Sequence, residues 1–352
     1  MKIQQGNKII VIGAGYGISA DLVIHPGGCP QDVEGINYPA GNGFTHVLYR
    51  ADSPHNAIFV TERCNSNCIM CSQPPQDVPD GDVLEQHLRL IDLIPTPPSQ
   101  LGITGGEPTL LKDGLVQIVS RLNERFPATS LTMLSNGRMY SYEELTEKLA
   151  NIGHSDFLTS IPLYANNASD HDYIVQSKGA FDQTIQGLYN AEKHGLAVEI
   201  RVVLHKQTIP GLVALAEFIY RNLPFVRHVA LMGLENMGYV RKNWEQVWID
   251  PIDYAETLEA TVRHLFYRGI AVSLYNLPLC VLPNSLWYFA RQSISDYKNI
   301  YLSDCDGCSV KQHCGGLFKS SETRHSRAIR AIASLLPGGI GQMNNCNVSI
   351  SD

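Results

Sequence analysis

The 352-residue sequence has no apolar run long enough to span a bilayer, and no basic-then-apolar segment opens it. These absences argue against a membrane span and an export signal, so a cytoplasmic chain is expected. Positive charge is not in excess: Lys and Arg total 27 against 34 Asp and Glu, a net charge of −7. A nucleic-acid binder held by bulk charge is thereby disfavoured. The chain shows no internal repeat and no long low-complexity tract. It also lacks a true dinucleotide fingerprint. Val11-Ile-Gly13-Ala-Gly15-Tyr-Gly17 is spaced GxGxG rather than GxGxxG, and no convincing amphipathic pattern follows it. Without an export signal, the nine cysteines belong to a reducing compartment, where thiols bind metal rather than pair.

Three of those thiols sit in Cys64-Asn-Ser-Asn-Cys68-Ile-Met-Cys71, spaced Cys-x3-Cys-x2-Cys. Thiolates are soft, charged ligands suited to iron–sulfur clusters. Three of them on a four-iron cube leave one iron open for chemistry. Zinc is the alternative, but it usually takes four ligands in paired knuckles, and no fourth Cys follows at that spacing. Cys29 has no partner at motif spacing and reads as a small buried apolar residue. Cys346 lies in a Gly/Asn-rich tail and is not counted as a ligand.

The stretch before the triad, Ala57–Thr61, reads as a strand. It opens an alternation of apolar strands at 57–61, 100–104, 130–135, 157–162, 197–204 and 227–233. Helical stripes fill the gaps, with Asp82 expected to cap the first, Ser141-Tyr-Glu-Glu144 to form a capping box and Asp250-Pro251 to open the last. Six βα units imply parallel strands with right-handed crossovers, hence an α/β fold built on a partial (β/α)6 TIM-like barrel. The expected layout is a small β-rich region over 1–55, the barrel over 56–269, a cysteine-rich domain over 270–318 and a basic, flexible tail over 319–352.

Functional groups in (β/α) barrels collect at the C-terminal strand ends. The second strand ends in Gly105-Gly106-Glu107-Pro108, where glycines let backbone approach a ligand and a carboxylate can hold an ammonium group. The third ends in Ser135-Asn136-Gly137, and the fourth carries Ser160. The fifth carries Arg201, a charge that needs a partner: a ligand carboxylate or an ion pair with Glu199. Met70 and Met232 either cover an aromatic ligand or pack in the core. After residue 270 comes a second set, Cys280, Cys305, Cys308 and Cys314. Four thiols complete an iron–sulfur cluster with no open iron, and a structural zinc site is the rival. The segment 319–330, with Lys319, Arg324, Arg327 and Arg330, reads as a solvated basic helix face.

The cysteine triad followed by the GGEP strand end resembles the radical S-adenosylmethionine enzymes. The resemblance implies that Cys64, Cys68 and Cys71 hold a [4Fe-4S] cluster whose fourth iron is chelated by S-adenosyl-L-methionine. Reductive cleavage then yields a 5′-deoxyadenosyl radical that takes a hydrogen atom from substrate. It implies further that Gly105, Gly106, Glu107, Ser135, Asn136, Ser160 and Arg201 contact the cofactor, with Met70 and Met232 near the adenine. Cys280, Cys305, Cys308 and Cys314 would hold a second, auxiliary [4Fe-4S] cluster of the SPASM or twitch type. Glu62-Arg-Cys-Asn-Ser-Asn-Cys-Ile-Met-Cys-Ser-Gln-Pro-Pro75 and Cys305-Asp-Gly-Cys…Cys-Gly-Gly-Leu-Phe318 look like the C-type maturases of the His-Xaa-Ser peptide-modification system. That implies a ribosomally made precursor peptide as substrate, a second radical S-adenosylmethionine maturase as partner, and a reductant such as flavodoxin or ferredoxin. The alternatives are a relative acting on a small molecule or nucleotide, and a non-catalytic metal-binding subunit.

Overall fold

The computed structural model describes residues 10–14, 23–25, 45–50, 53–292 and 299–333; Gly15, Gly17, Cys29 and Cys346 lie outside them. Three strands, β1 (Ile10–Ala14), β2 (Val23–His25) and β3 (Thr45–Arg50), pair antiparallel in the order β2-β1-β3. The chain then alternates through β4 (Asn56–Phe59), α1 (Val83–Leu93), β5 (Gln100–Thr104), α2 (Asp113–Arg125), β6 (Ser130–Leu134), α3 (Glu143–Asn151), β7 (Phe157–Pro162), α4 (Ala168–Val175), α5 (Ala180–Lys193), β8 (Ala197–Leu204), α6 (Leu212–Asn222), β9 (His228–Gly233), α7 (Trp244–Val247), α8 (Ala255–Phe266), β10 (Val272–Tyr275) and β11 (Ala290–Arg291). All six expected strands are present, as β4 to β9. No helix among the described residues is long and apolar enough to cross a membrane.

The chain forms two units: residues 1–65, 75–160 and 183–197, and residues 66–74, 161–182 and 198–352. In the first, β4, β5, β6 and β7 are parallel neighbours in sequence order. Alternation along β5 buries Leu101 and Ile103, while Leu115, Ile118, Val119 and Leu122 make a fully buried stripe on α2. Each such side chain contributes about 1.5–3 kcal/mol on burial. In the second unit, β8, β9, β10 and β11 are parallel neighbours, again in order. Its apolar stripes are Leu212, Leu215, Ala216 and Ile219 on α6, and Leu258, Val262 and Leu265 on α8.

Local signals fare unevenly. Asp250 accepts a hydrogen bond from Ile252 N–H at 3.3 Å and caps the turn that leads into α8. Asp82 makes no side-chain cap, and the Ser141 hydroxyl turns back to the Arg138 carbonyl at 2.7 Å, so neither expected cap forms. A parallel pair, β10 and β11, continues past residue 270. The segment 319–330 is not a helix: a short 3-10 turn at Lys319–Ser321 is followed by bends and turns.

Candidate functional site

In the first unit, the segment leaving β4 is stitched to the end of β5. Val60 N–H donates to the Thr104 carbonyl (2.8 Å), Gly106 N–H to Thr61 (2.7 Å) and Glu107 N–H to Arg63 (2.7 Å). A Cβ on Gly105 would lie 2.6 Å from the Thr61 carbonyl oxygen, and one on Gly106 would lie 2.3 Å from that of Arg63. The glycines thus make room for the chain that delivers Cys64. Glu107 is 1 % exposed. Its carboxylate accepts from Thr109 N–H (3.0 Å), the Thr109 hydroxyl, the Ser135 hydroxyl (2.7 Å) and Asn136 N–H (2.6 Å). Burial pushes its pKa up, and these bonds pull it back. Three of these bonds fall on Oε1 and one on Oε2, which keeps a further acceptor position.

Ser135 and Asn136 share that network. The Asn136 amide points Nδ2 at Cys64 Sγ (3.9 Å) and at Asn65 Oδ1 (2.6 Å). Arg138 donates to the Asn65 carbonyl and to Gln183 Oε1 (2.7 Å). Ser160 is buried, and its carbonyl accepts Ser135 N–H at 3.2 Å. The first unit therefore brings Cys64, Glu107, Ser135 and Asn136 together around the start of the thiol loop.

In the second unit, Cys68 and Cys71 lie on a loop held by backbone bonds from Asn67 N–H to Val175 (3.0 Å), Ile69 N–H to Ile174 (3.0 Å) and Tyr239 N–H to Cys71 (2.8 Å). The Asn243 amide holds the Ile69 carbonyl at 2.7 Å. Met70 is buried with Ile69, Tyr164, Ile174 and Val240. Burial raises the Cys71 thiol. Arg201 pairs with Glu199 at 2.7 Å and keeps 30 % of its side chain exposed. Met232 is half-buried and registers with Tyr275.

The same unit places Cys280, Cys305, Cys308 and Cys314 in the lining of one small cavity. Cys314 Sγ receives Leu279 N–H (3.3 Å) and Gly316 N–H (3.4 Å), and Cys308 Sγ receives Ile332 N–H (3.4 Å). Burial raises the Cys280 and Cys314 thiols, and each feels the charges of others in the set. Backbone N–H groups thus reach two of the four sulfurs, while among the described residues no three His, Cys, Asp or Glu side chains stand close enough together to form a ready metal site. Ile329, Arg330 and Ile332 also line the cavity, so the sequence beyond 318 is part of this site. Arg327 is ion-paired to Asp250 (3.2 Å) and Asp253, and the Arg324 guanidinium lies 4.9 Å from the centre of the Trp244 ring. These arginines are engaged with the fold, contrary to the expected solvated face. Asn65, Arg138, Asn243 and the wall at 329–332 went unread because only their spatial partners give them meaning.

Fold and site define a parallel α/β protein with a three-thiol loop at the end of its first parallel strand and a four-thiol cavity near its C-terminus. Residues 58–219 match the Radical SAM superfamily model, so the chain carries a Radical SAM superfamily domain, a class that implies a [4Fe-4S] cluster and S-adenosylmethionine. Among curated relatives, the Fe-coproporphyrin III synthase of Methanosarcina barkeri is 28% identical over 163 residues, 46% of this chain and 39% of that protein. A GTP 3′,8-cyclase of Nautilia profundicola is 29% identical over 186 residues, covering 51% and 56%. The chain thus spans about half the length of the relatives it matches. Among solved structures, Streptococcus suis SuiB aligns with a TM-score of 0.50 at 15% identity, over 71% of this chain and 56% of that one.

Proposed function

We propose that the protein is a radical S-adenosylmethionine enzyme that oxidatively modifies side chains of a ribosomally made peptide bearing His-Xaa-Ser repeats, working with a second maturase of the same class. The observation that carries this reading is the pairing of a three-thiol loop, at the end of the first strand of a Radical SAM superfamily domain, with four thiols around a separate cavity. Cys64, Cys68 and Cys71 hold the first cluster, and Cys280, Cys305, Cys308 and Cys314 the auxiliary one. Bound there, cluster and cofactor supply a 5′-deoxyadenosyl radical that takes a hydrogen atom from substrate. The chain's own residues position and shield: Asn136 and Arg138 fix the loop around Cys64, and the exposed part of the Arg201 guanidinium is free to take a cofactor carboxylate. Ser160 and Met232 are proposed as further cofactor contacts, with Met70 backing the loop. Glu107 is proposed to take the cofactor's amino group at the acceptor position left on Oε2, while its other bonds hold Ser135 and Asn136 in place.

A small-molecule or nucleotide substrate is the second reading, favoured by relatives named for GTP and coproporphyrin chemistry. Anaerobic incubation with a His-Xaa-Ser peptide, followed by mass measurement, separates the two. Cys68→Ala is expected to abolish 5′-deoxyadenosine formation. Cys308→Ala is expected to lose about half the bound iron, one of two clusters; full iron retention would remove the auxiliary cluster from this reading.

A further inference from the structure

A second small cavity lies in the second unit, at the C-terminal ends of its strands. Leu204 and Gly233 close β8 and β9 and line it, and Asn276 lines it one residue past β10. Functional groups of parallel α/β folds collect at this end of the strands. Leu234 lines the cavity and also packs against the cluster that holds Ile69 and Met70 of the thiol loop. Pro278, Leu317 and Ile329 line both this cavity and the four-thiol one. The cavity thus shares walls with both thiol-bearing segments. Most of its wall is apolar. Trp248 stands in it as a rigid plate, stacked on Trp244 with ring centres 4.5 Å apart and planes 14° from parallel.

The polar groups of this wall lack partners. Tyr254 and Ser321 are 2 % and 6 % exposed, and neither hydroxyl has a hydrogen-bond partner among the described residues. Buried hydroxyls are normally bonded, so two left open in one wall point to a ligand. His325, from the same turn region as Ser321, places Nδ1 3.1 Å from the Ser321 carbonyl oxygen, which can only accept. The neutral ring therefore carries its proton on Nδ1 and leaves Nε2 as an acceptor. The wall offers donors and an acceptor but no charge, since none of the described residues lining it is Lys, Arg, Asp or Glu. Asp250, four residues before Tyr254, is already paired with Arg327 at 3.2 Å. A triphosphate or a carboxylate-bearing tetrapyrrole would need cations in this wall. Its occupant is uncharged.

We propose that this cavity receives the uncharged imidazole of the peptide's His-Xaa-Ser repeat, and that Tyr254, Ser321 and His325 select it. The proposal rests on the peptide reading above and deepens it. A neutral imidazole is flat and carries one N–H donor and one bare nitrogen acceptor. His325 Nε2 takes the N–H, and a hydroxyl of Tyr254 or Ser321 donates to the bare nitrogen. The Trp248 plate and the apolar wall cover the ring carbons. A phenyl ring of similar shape would leave these polar groups unpaired, which a site built to hydrogen-bond its substrate penalises. An ammonium would be buried without a counter-charge.

The test measures binding to the full chain, reconstituted anaerobically with S-adenosylmethionine, at about pH 8, where a free imidazole is neutral. The probes are three labelled synthetic peptides that carry His, Phe or Lys at the first position of the repeat. The wild type is expected to bind the Phe peptide about tenfold more weakly than the His peptide, and the Lys peptide about a hundredfold more weakly. Tyr254→Phe and Ser321→Ala are each expected to bring the His and Phe peptides to within about threefold of one another, by weakening the His peptide. A residue that served folding alone would weaken both peptides equally and leave their ratio unchanged. A wild type that binds the Phe or the Lys peptide as tightly as the His peptide overturns the assignment, whether or not either variant folds. So does a wild-type ratio in both variants. If dithionite then yields a mass change in the His peptide while the ratios are flat, the cavity assignment falls and the peptide reading stands. No binding of any peptide and no mass change would overturn both.

Discussion

At Glu107, four donors converge on one buried carboxylate that no cation accompanies among the described residues. Removing the acceptor leaves two hydroxyls and two backbone N–H groups unsatisfied in the interior. Glu107→Ala should therefore cost about 2–5 kcal/mol, read from urea unfolding. Glu199 makes a prediction about acid. Its folded pKa lies below its ordinary 4.5, so its stabilisation is fully present above that value and is lost as pH falls toward 2. At most this is about 3 kcal/mol. Between pH 5 and pH 2, the wild type should lose more stability than Glu199→Gln; parallel losses in the two proteins would remove the ion pair from the account. At this scale the sequence was legible where spacing alone carries meaning, as for Cys64, Cys68 and Cys71. It was silent on His228 and Ser273, which meet each other and Glu199 only when β8, β9 and β10 lie side by side. Arg201 stood between: its charge demanded a partner, and Glu199, one of the two candidates, is the one in contact.

Among the elements, the six apolar strands from β4 to β9 were readable because burial between helices demands near-continuous apolar runs. Helix α4 and strand β11 were not, since eight and two residues give too little periodicity to stand out. The joint between β5 and the thiol loop depends on absent side chains. Gly106→Ala would drive a methyl group against the Arg63 carbonyl, and Gly238→Ala one to within 2.3 Å of the Cys71 carbonyl. Both contacts are with backbone, which cannot rotate aside, so each variant should lose iron from the first cluster while Gly211→Ala, open on all sides, should not. Iron content and visible absorbance after anaerobic purification measure this. Equal iron in all three proteins would mean that the close approach is dispensable.

At the scale of the molecule, the segment from Arg324 to Ile332 behaves as a strap. Asn236 Nδ2 holds the Arg324 carbonyl at 2.6 Å, and Asp250 takes the Ser326 hydroxyl (2.5 Å) and Arg327 N–H (3.0 Å). The Ser309 amide and hydroxyl both donate to the Ile332 carbonyl at 2.8 Å. Its composition suggested a basic surface helix because polar and charged residues dominate it, while the acids that absorb them lie some seventy residues upstream, as Arg327 with Asp250 and Asp253 shows. Asp250→Ala should free the strap: faster tryptic cleavage after Arg324 or Arg327, and faster loss to a chelator of the iron proposed for the four thiols, with the iron proposed for the first three retained. Unaltered cleavage and iron-loss rates would show that the strap is held by other means.

That wall also bears on how the holoprotein is made. The backbone of residues 329–332 reaches the four-thiol cavity last in order of synthesis, after every one of its sulfurs has left the ribosome. A nascent chain that has emerged only through Cys314 displays the thiols without their cover and without the Ile332 amide. Any metal bound by the four thiols would thus gain its last wall only once residues 329–332 have emerged. A chain truncated after Cys314 should bind iron loosely at these thiols and give it up readily to a chelator.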